Sequence, residues 1–163
     1  QYRLLGNVLG HGIDDAPWRE AAVRRSESFA ARWRGLGCAV GEVLCARPFE
    51  LALALLRMGL GVPEIFASPG PGDRALVARI AALSPATKIY SNLSPSMLFY
   101  KPEPGRVDLA LGQDARFYHP ECAGTDWCPA REPFGYAGLC ALLDDMERAL
   151  EAAPGRGDRE ARQ

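Results

Sequence analysis

Short apolar segments with strand character alternate with helical segments along the chain, and this alternation limits the fold more than any other feature. The predicted strands cover Tyr2 to Leu9, Ala39 to Leu44, Val62 to Ala67, Thr87 to Tyr90 and Val107 to Leu111. The predicted helices run from Trp18 to Leu36, Pro48 to Met58, Asp73 to Leu83, Ser94 to Tyr100 and Phe134 to Leu150. Such an order predicts parallel strands joined by right-handed crossovers. We therefore expect a three-layer Rossmann-like α/β domain, with a mostly parallel sheet of four to five strands flanked by helices.

The length of the chain predicts one domain. A chain of 163 residues buries roughly 70% of its unfolded surface, which is enough for a core. We expect a single α/β domain over residues 1–153 and a disordered tail over residues 154–163, which are rich in Gly, Arg and Asp. Because Gln1 is not a methionine and lies directly before strand-like sequence, we also expect the chain to be a fragment of a larger multi-domain subunit.

Composition excludes several classes of function. The net charge is −1, so a concentrated basic face for nucleic acid is not expected, and the arginines of the first long helix are interpreted as a solvated face. No apolar run reaches the ~20 residues that cross a membrane. The five cysteines lack the spacing of a disulfide framework. A reducing, cytoplasmic location is the prediction that follows.

Ligands of open parallel α/β sheets lie beyond the carboxyl ends of the strands, and the first candidate segment is Gly10-His11-Gly12. Glycines after a strand let backbone amides approach an anion at a helix start. The segment lacks the full G-x-G-x-x-G pattern and any P-loop signature, so dinucleotide binding is not favoured. His11 is kept as a candidate cofactor-binding residue because of its position, against the alternative of an exposed loop histidine.

The second candidate segment is Cys45-Ala46-Arg47, after the second predicted strand, and the third, residues 113–133, follows the last predicted strand. The third segment is long for a connection from strand to helix, and its aromatic residues argue against disorder. The cysteine spacing is C-x5-C, which misses the C-x2-4-C spacing of structural zinc sites, so buried thiols in a packed loop are the favoured alternative to a metal site. The candidate cofactor-binding residues are Gln113, Asp114, His119 and Trp127, and the candidate metal ligands are Cys122 and Cys128.

Three stretches together resemble proteins of the nitrogenase component 1 family. They are GVPEIFASPGPGD at 61–73, VDLALGQDARFYHP at 107–120 and PFGYAGLCALLDDMERAL at 133–150. In that family a strand with a D-L-x-x-G-type end leads to a cofactor-facing loop, and a helix that begins near a G-[FY]-x-G segment closes the domain. The order and spacing are the same here, over roughly the last two-thirds of the chain.

The resemblance implies a subunit of three Rossmann-like domains, of which this chain is similar to the last. It also implies an oligomeric α2β2-type assembly with a sister subunit, and electrons from an ATP-dependent iron–sulfur reductase. An iron–sulfur-based metallocluster as cofactor, or a reducible substrate, would lie where the domains meet. The family's bridging-cluster cysteines belong to the first domain and are not expected in this chain.

One departure from the family concerns a cofactor ligand. In molybdenum nitrogenase a histidine ligand precedes a tryptophan by two residues, and alignment on Trp127 puts Thr125 at that place. The resemblance thus implies a nitrogenase-like reductase or a scaffold for cofactor assembly rather than a molybdenum nitrogenase α subunit. His119, Cys122 or Cys128 would then be the substitute ligands.

Three hypotheses about function remain open at this point. The chain is part of a nitrogenase-like reductase and inactive when isolated, or a non-catalytic scaffold for metallocluster assembly, or an unrelated small-molecule-binding α/β domain. A shared fold does not by itself choose among them.

Overall fold

A five-stranded, wholly parallel sheet forms the centre of the molecule. The computed structural model describes residues 2–44, 46–126 and 134–153. The strands are β1 Gly37–Gly41, β2 Gly61–Phe66, β3 Lys88–Tyr90, β4 Leu109–Leu111 and β5 Ala123–Thr125. Their order across the sheet is β3-β2-β1-β4-β5. This architecture confirms the predicted Rossmann-like α/β class and the parallel, inner position of the strand that ends at Leu111.

Six α-helices accompany the sheet in the described ranges. They are α1 Tyr2–Leu9, α2 Ala16–Arg32, α3 Pro48–Arg57, α4 Arg74–Leu83, α5 Gln113–Tyr118 and α6 Gly135–Ala152. Two 3-10 turns, Pro71–Asp73 and Pro95–Phe99, precede α4 and follow β3. None of these helices is long and apolar enough to cross a bilayer. The predicted disordered tail lies outside the described residues.

The two faces of the sheet are covered unequally, and the strand order explains why. The chain steps from β1 to β2 and β3 in one direction, then returns to β4 and steps to β5 in the other. Right-handed crossovers place the helices of these two halves on opposite faces. The helix-covered face packs against α2, α3, α4 and α6. The thin face, the side on which Ala39, Phe66 and Ala110 are buried, is covered by α5 and the segment 90–107.

A bulge in β2 decides which of its residues lie on which face. Gly37 pairs with Gly61 and Ala39 pairs with Glu64, so two steps along β1 correspond to three along β2. As a result Val62 and Ile65 both lie in the core of the helix-covered face, whereas Phe66 packs on the thin face. Pro63 falls inside the irregularity, where its missing N–H costs no ladder hydrogen bond.

Ion pairs join α2 to α6 on the helix-covered face. Arg25 Nη2 and Arg32 Nη1 lie 2.7 Å and 2.6 Å from the carboxylate oxygens of Glu147. Arg25 Nε also donates to Asp144 at 2.7 Å, and Arg32 pairs with Glu151. The interpretation of the α2 arginines as a solvated face is therefore wrong for Arg25, whose side chain is only 20% exposed, whereas Arg32 forms its ion pairs at the surface.

Two elements differ from the sequence predictions. Residues 2–9 form helix α1, not a strand, and Gly10, with a positive φ of 67°, ends the helix. The predicted loop over 113–133 contains α5 and β5, so the chain turns directly from β4 into a further β-α-β unit. A six-residue helix and a three-residue strand are too short to give a periodic signal in the sequence.

Candidate functional site

At the carboxyl edge of the sheet, one carboxylate side chain accepts hydrogen bonds from several loops. Asp114, in the first turn of α5, accepts hydrogen bonds from the backbone amides of Glu42 and Val43 at 2.7 Å and 3.2 Å. The side-chain amide of Asn92, just after β3, donates to the same carboxylate at 2.8 Å. Asp114, which follows β4, is thus hydrogen-bonded to the connections that follow β1 and β3.

This position is the topological switch point, the gap between β1 and β4 where the direction of strand order reverses. Doubly wound domains commonly bind the anionic part of a nucleotide there, through amides of the loop. Here the carboxylate of Asp114 already accepts from the amides of the β1–α3 loop. The space is also small, since a Cβ built on Gly41 would lie 1.9 Å from Asp114 Oδ1. The Asp114 carboxylate therefore occupies, at this edge, the kind of position that a ligand anion takes in doubly wound domains.

Gln113 and Thr125 lie at the same edge. The side chain of Gln113 is exposed at the start of α5, and its backbone amide donates to the carbonyl of Val43 at 3.1 Å. Thr125 ends β5, and its carbonyl accepts from the amide of Gly112 at 2.9 Å. Gln113, Asp114 and Thr125 are thus brought together at one end of the sheet.

His119 lies elsewhere, buried under the thin face within a polar cluster. Its Nε2 is 2.7 Å from Oε2 of Glu64, and the hydroxyl of Tyr100 donates to the same oxygen at 2.8 Å. Glu64 is 2% exposed and His119 is 4% exposed. Aromatic rings surround the cluster, with Phe66 and Tyr100 both in contact with the imidazole.

The buried pair is charged at neutral pH. Burial alone would lower the pKa of His119, but hydrogen bonds with Cys122 and Glu64, together with the Glu64 charge, raise that pKa to about 9. Burial would likewise raise the pKa of Glu64, yet hydrogen bonds from His119 and Tyr100 and the charge of His119 leave it below its usual value. Burial and the hydrogen bond to Glu64 raise the pKa of Tyr100, so its hydroxyl stays a donor. An imidazolium and a carboxylate thus face each other in the core.

Cys122 is the second predicted ligand that the structure places near His119. The amide of Cys122 donates to the carbonyl of His119 at 3.2 Å, and its thiol donates to the carbonyl of Val107 at 3.2 Å. Within the described ranges no three His, Cys, Asp or Glu side chains converge as a metal-binding group. In this structure the imidazole of His119 pairs with Glu64, and the thiol of Cys122 donates to a carbonyl oxygen.

His11 is separate from both groups of residues. It lies in the loop after α1 and lines an open pocket of about 870 Å³ together with Tyr2, Asp15, Arg19 and Tyr136. Because residues 2–9 are helical, His11 does not follow a strand, and its predicted position at the carboxyl end of a strand is wrong. Two other predicted site residues, Trp127 and Cys128, lie outside the described residues.

Glu64, Tyr100 and Asn92 were not among the residues predicted from the sequence. Glu64 did carry a signal, because a single acidic residue within the apolar segment GVPEIF is costly to bury and must have a partner. Its partner could not be found from the sequence, since 55 residues separate it from His119. Tyr100 and Asn92 lie in connections whose spacing gives no such signal.

Comparisons with known proteins identify the fold but no family. No protein-family model matches the chain, and no curated protein sequence is similar to it. A solved structure of nitrogenase Cp1 at pH 6.5 superposes on 91% of this chain with a TM-score of 0.70 and 12% sequence identity. The chain spans 36% of the length of that nitrogenase chain. At this identity the likeness establishes a shared fold, and the chain has the architecture of one part of a nitrogenase subunit.

Proposed function

We propose that this chain is one domain of a nitrogenase component 1-like oxidoreductase subunit. In that role it would help to enclose a redox metallocluster or a reducible substrate, with electrons supplied by an ATP-dependent iron–sulfur reductase. The observation that carries the proposal is the superposition of nearly the whole chain, 91%, on about a third of nitrogenase Cp1. The resemblance of residues 61–73, 107–120 and 133–150 to the same family is consistent with this proposal.

Exposed apolar side chains support a position inside a larger assembly. Helix α1 exposes leucines and a valine along its length, and Trp18 at the start of α2 is 60% exposed. The thin face adds Leu93, Leu98 and Phe99, each more than four-fifths exposed. Clusters of exposed apolar residues in a monomer generally mark surfaces that contact other parts of a protein. Neighbouring domains and a sister subunit are the partners that this proposal assigns to them.

The carboxyl edge is the part of this domain that we assign to the cofactor side. Gln113 is exposed there, and Thr125, the residue at the place of the family's histidine ligand, ends β5 at the same edge. Since the described side chains do not supply a ligand set for a metal cluster, we assign this edge a role in shaping the pocket and excluding water. The ligands of any cluster would then come from other domains or from residues 127–133.

Analysis of the intact protein that carries this chain tests the proposal. Purified without oxygen, it should contain iron and acid-labile sulfide, and it should reduce substrate only with ATP and an iron–sulfur reductase present. The 163-residue chain alone should contain no iron and show no turnover, which makes it the control. Iron without turnover would favour the scaffold hypothesis, and the absence of both would contradict the proposal.

A variant of the intact protein separates the ligand hypothesis from the domain assignment. His119, Cys122 and Cys128 are replaced together by Phe, Ala and Ala. If these residues do not ligate metal, as the contacts of the first two suggest, the iron content per assembled protein stays unchanged. A loss of iron in a correctly assembled protein would instead make one of them a ligand.

A further inference from the structure

A polar pocket lies beside α1, between this helix and the start of α2. Its volume is about 870 Å³, and its lining includes charged side chains of both signs, Asp15 and Arg19, together with Asn7 and His11. Asn7, His11 and Arg19 are exposed and Asp15 is half-buried, so a small molecule can reach all four residues. Ligand pockets are mostly apolar, and a lining as polar as this one favours a ligand that carries charge.

The pocket and the exposed apolar residues of α1 occupy different faces of this helix. Tyr2, Gly6 and Asn7 line the pocket, at a spacing that puts them on one side of an α-helix. The leucines and the valine assigned above to neighbouring domains lie on the other side, and neither they nor Trp18 line the pocket. Contacts on the apolar side therefore do not use the residues of the pocket.

Asp15 and Arg19 have the spacing of an ion pair, but their side chains do not pair with each other. Aspartate four residues before arginine commonly forms such a pair on a helix. Oδ2 of Asp15 instead accepts from the hydroxyl of Tyr136 at 2.8 Å. Oδ1 of Asp15 is accessible and has no hydrogen bond from the described residues. The guanidinium of Arg19 likewise has no ion-pair or hydrogen-bond partner within the described ranges.

The two charged side chains are close enough for one amino acid to bridge them. Residues four apart on a helix have Cβ atoms about 5 to 6 Å apart, and an α-amino acid carries its ammonium and its carboxylate on a single carbon atom. The guanidinium of Arg19 offers a carboxylate two parallel N–H bonds. An isolated anion would meet the carboxylate of Asp15, and an isolated cation would meet the guanidinium of Arg19, so a zwitterion is favoured over either.

We propose that this pocket binds a free α-amino acid with a small, polar side chain. The ammonium of the ligand donates to Asp15, and its carboxylate accepts from Arg19. Its side chain lies against Asn7 and His11. Gly12, next to His11, leaves room there, because nothing lies within 4 Å of its Cβ position. The proposal concerns this chain alone and does not depend on the assignment to a reductase.

Three matched probes test whether the pocket recognises both charges. L-Serine carries both, N-acetyl-L-serine lacks the ammonium, and L-serinamide lacks the carboxylate. In titrations followed by amide chemical shifts of the 163-residue chain, L-serine should perturb Gly12, Asp15 and Arg19. It should also bind roughly tenfold more tightly than either relative, because each relative loses one hydrogen-bonded charge.

Equal affinity of N-acetyl-L-serine and L-serine would make the pocket an anion site, and equal affinity of L-serinamide and L-serine would make it a cation site. Either result would overturn the proposal, as would the absence of shifts at these three residues in the presence of L-serine.

Variants on α2 test the two charged contacts. Arg19 lines the pocket, whereas Arg24 does not line it and has a side chain that is 69% exposed. Arg19→Gln should weaken L-serine binding roughly tenfold, and Arg24→Gln should leave it unchanged. Asp15→Asn keeps an acceptor for the hydroxyl of Tyr136 and removes the charge, so the same loss is expected. Dispersed amide spectra establish that each variant is folded. Unchanged binding by a folded Arg19→Gln or Asp15→Asn variant would also overturn the proposal.

Discussion

Nε2 of His119 lies 2.7 Å from Oε2 of Glu64, and this contact joins the end of α5 to the middle of β2 across the thin face. Both side chains are almost wholly buried, with the hydroxyl of Tyr100 as a third member. Because a buried charge is costly without its partner, the pair makes the position of α5 on the sheet depend on the ionisation of two side chains.

The free energy of unfolding should fall when the pH rises through about 9. The pKa of His119 is raised to about 9 in the folded protein, above its unfolded value of about 6.5. The stabilisation from the charged imidazole is therefore complete below about pH 6.5 and is lost as the pH rises through the folded pKa. Glu64, with a lowered pKa, adds stabilisation that is lost only in acid. Urea denaturation between pH 6 and pH 10 measures this dependence.

The control for this pH dependence is the variant His119→Gln, which keeps a polar side chain but cannot titrate. Its free energy of unfolding should change less between pH 7 and pH 10 than that of the wild type. Identical pH profiles of the two proteins in this interval would mean that His119 is neutral in the folded state.

Removal of one member of the pair should cost more than removal of both. Glu64→Leu leaves the imidazole of His119 buried without its carboxylate, and breaking a buried ion pair in this way costs about 3 to 5 kcal/mol. The double variant Glu64→Leu with His119→Phe removes both charges and should recover part of that loss. Urea denaturation of the two single variants and the double variant gives the coupling energy. A double variant whose loss equals the sum of the single losses would refute the coupling.

The sequence predicted four of the five strands because these segments are mostly apolar and are bounded by turn residues or helical segments. Val62 to Ala67 overlaps the observed β2 except at Gly61, and Val107 to Leu111 contains the observed β4, whereas β5 was not predicted. The segment YRLLGNVL was misassigned because eight residues of mostly apolar sequence fit a buried strand and a short helix equally well. Only the absence of a neighbouring strand in the fold distinguishes the two.

The site was less predictable than the fold, since its contacts join distant parts of the chain. Asp114 and Gln113 were expected at the carboxyl edge because they follow β4, and the structure places them there. That Asp114 would accept from Glu42 and Val43 was not predictable, because it depends on the close approach of Gly41. His119 also follows β4 in the sequence and was therefore expected at the same edge. The intervening helix α5 instead places it away from that edge, under the thin face.

Gly41 should tolerate no side chain. An alanine Cβ at this position would lie 1.9 Å from Asp114 Oδ1 and 3.0 Å from the backbone nitrogen of Ala115. Relief of such overlap in a packed region costs about 1 to 3 kcal/mol. Gly72→Ala is the matched control, because nothing lies within 4 Å of its Cβ position and its φ is not positive. Thermal unfolding should show a lowered Tm for Gly41→Ala alone, and equal Tm values would contradict the packing at Gly41.

Replacement of Asp114 by alanine should destabilise the protein and create a weak anion site. The variant removes the acceptor shared by the amides of Glu42 and Val43 and by Asn92. Loss of these hydrogen bonds to a charged acceptor should cost about 1 to 3 kcal/mol. The freed donors would then point at a space in which a sulfate or phosphate oxygen could replace the carboxylate.

Sulfate therefore should stabilise Asp114→Ala more than it stabilises the wild type. Sulfate strengthens folding of most proteins non-specifically, so the informative quantity is the difference in Tm gain between the variant and the wild type, with sodium chloride at equal ionic strength as the reference. Asp108→Ala, which removes the carboxylate that accepts from the amide of Gly37 near the opposite end of β1, serves as the control because it lies away from the carboxyl edge. A ligand that binds only the folded state raises stability by mass action. If all three proteins gain equally in sulfate, the carboxylate of Asp114 is not acting as an internal substitute for a bound anion.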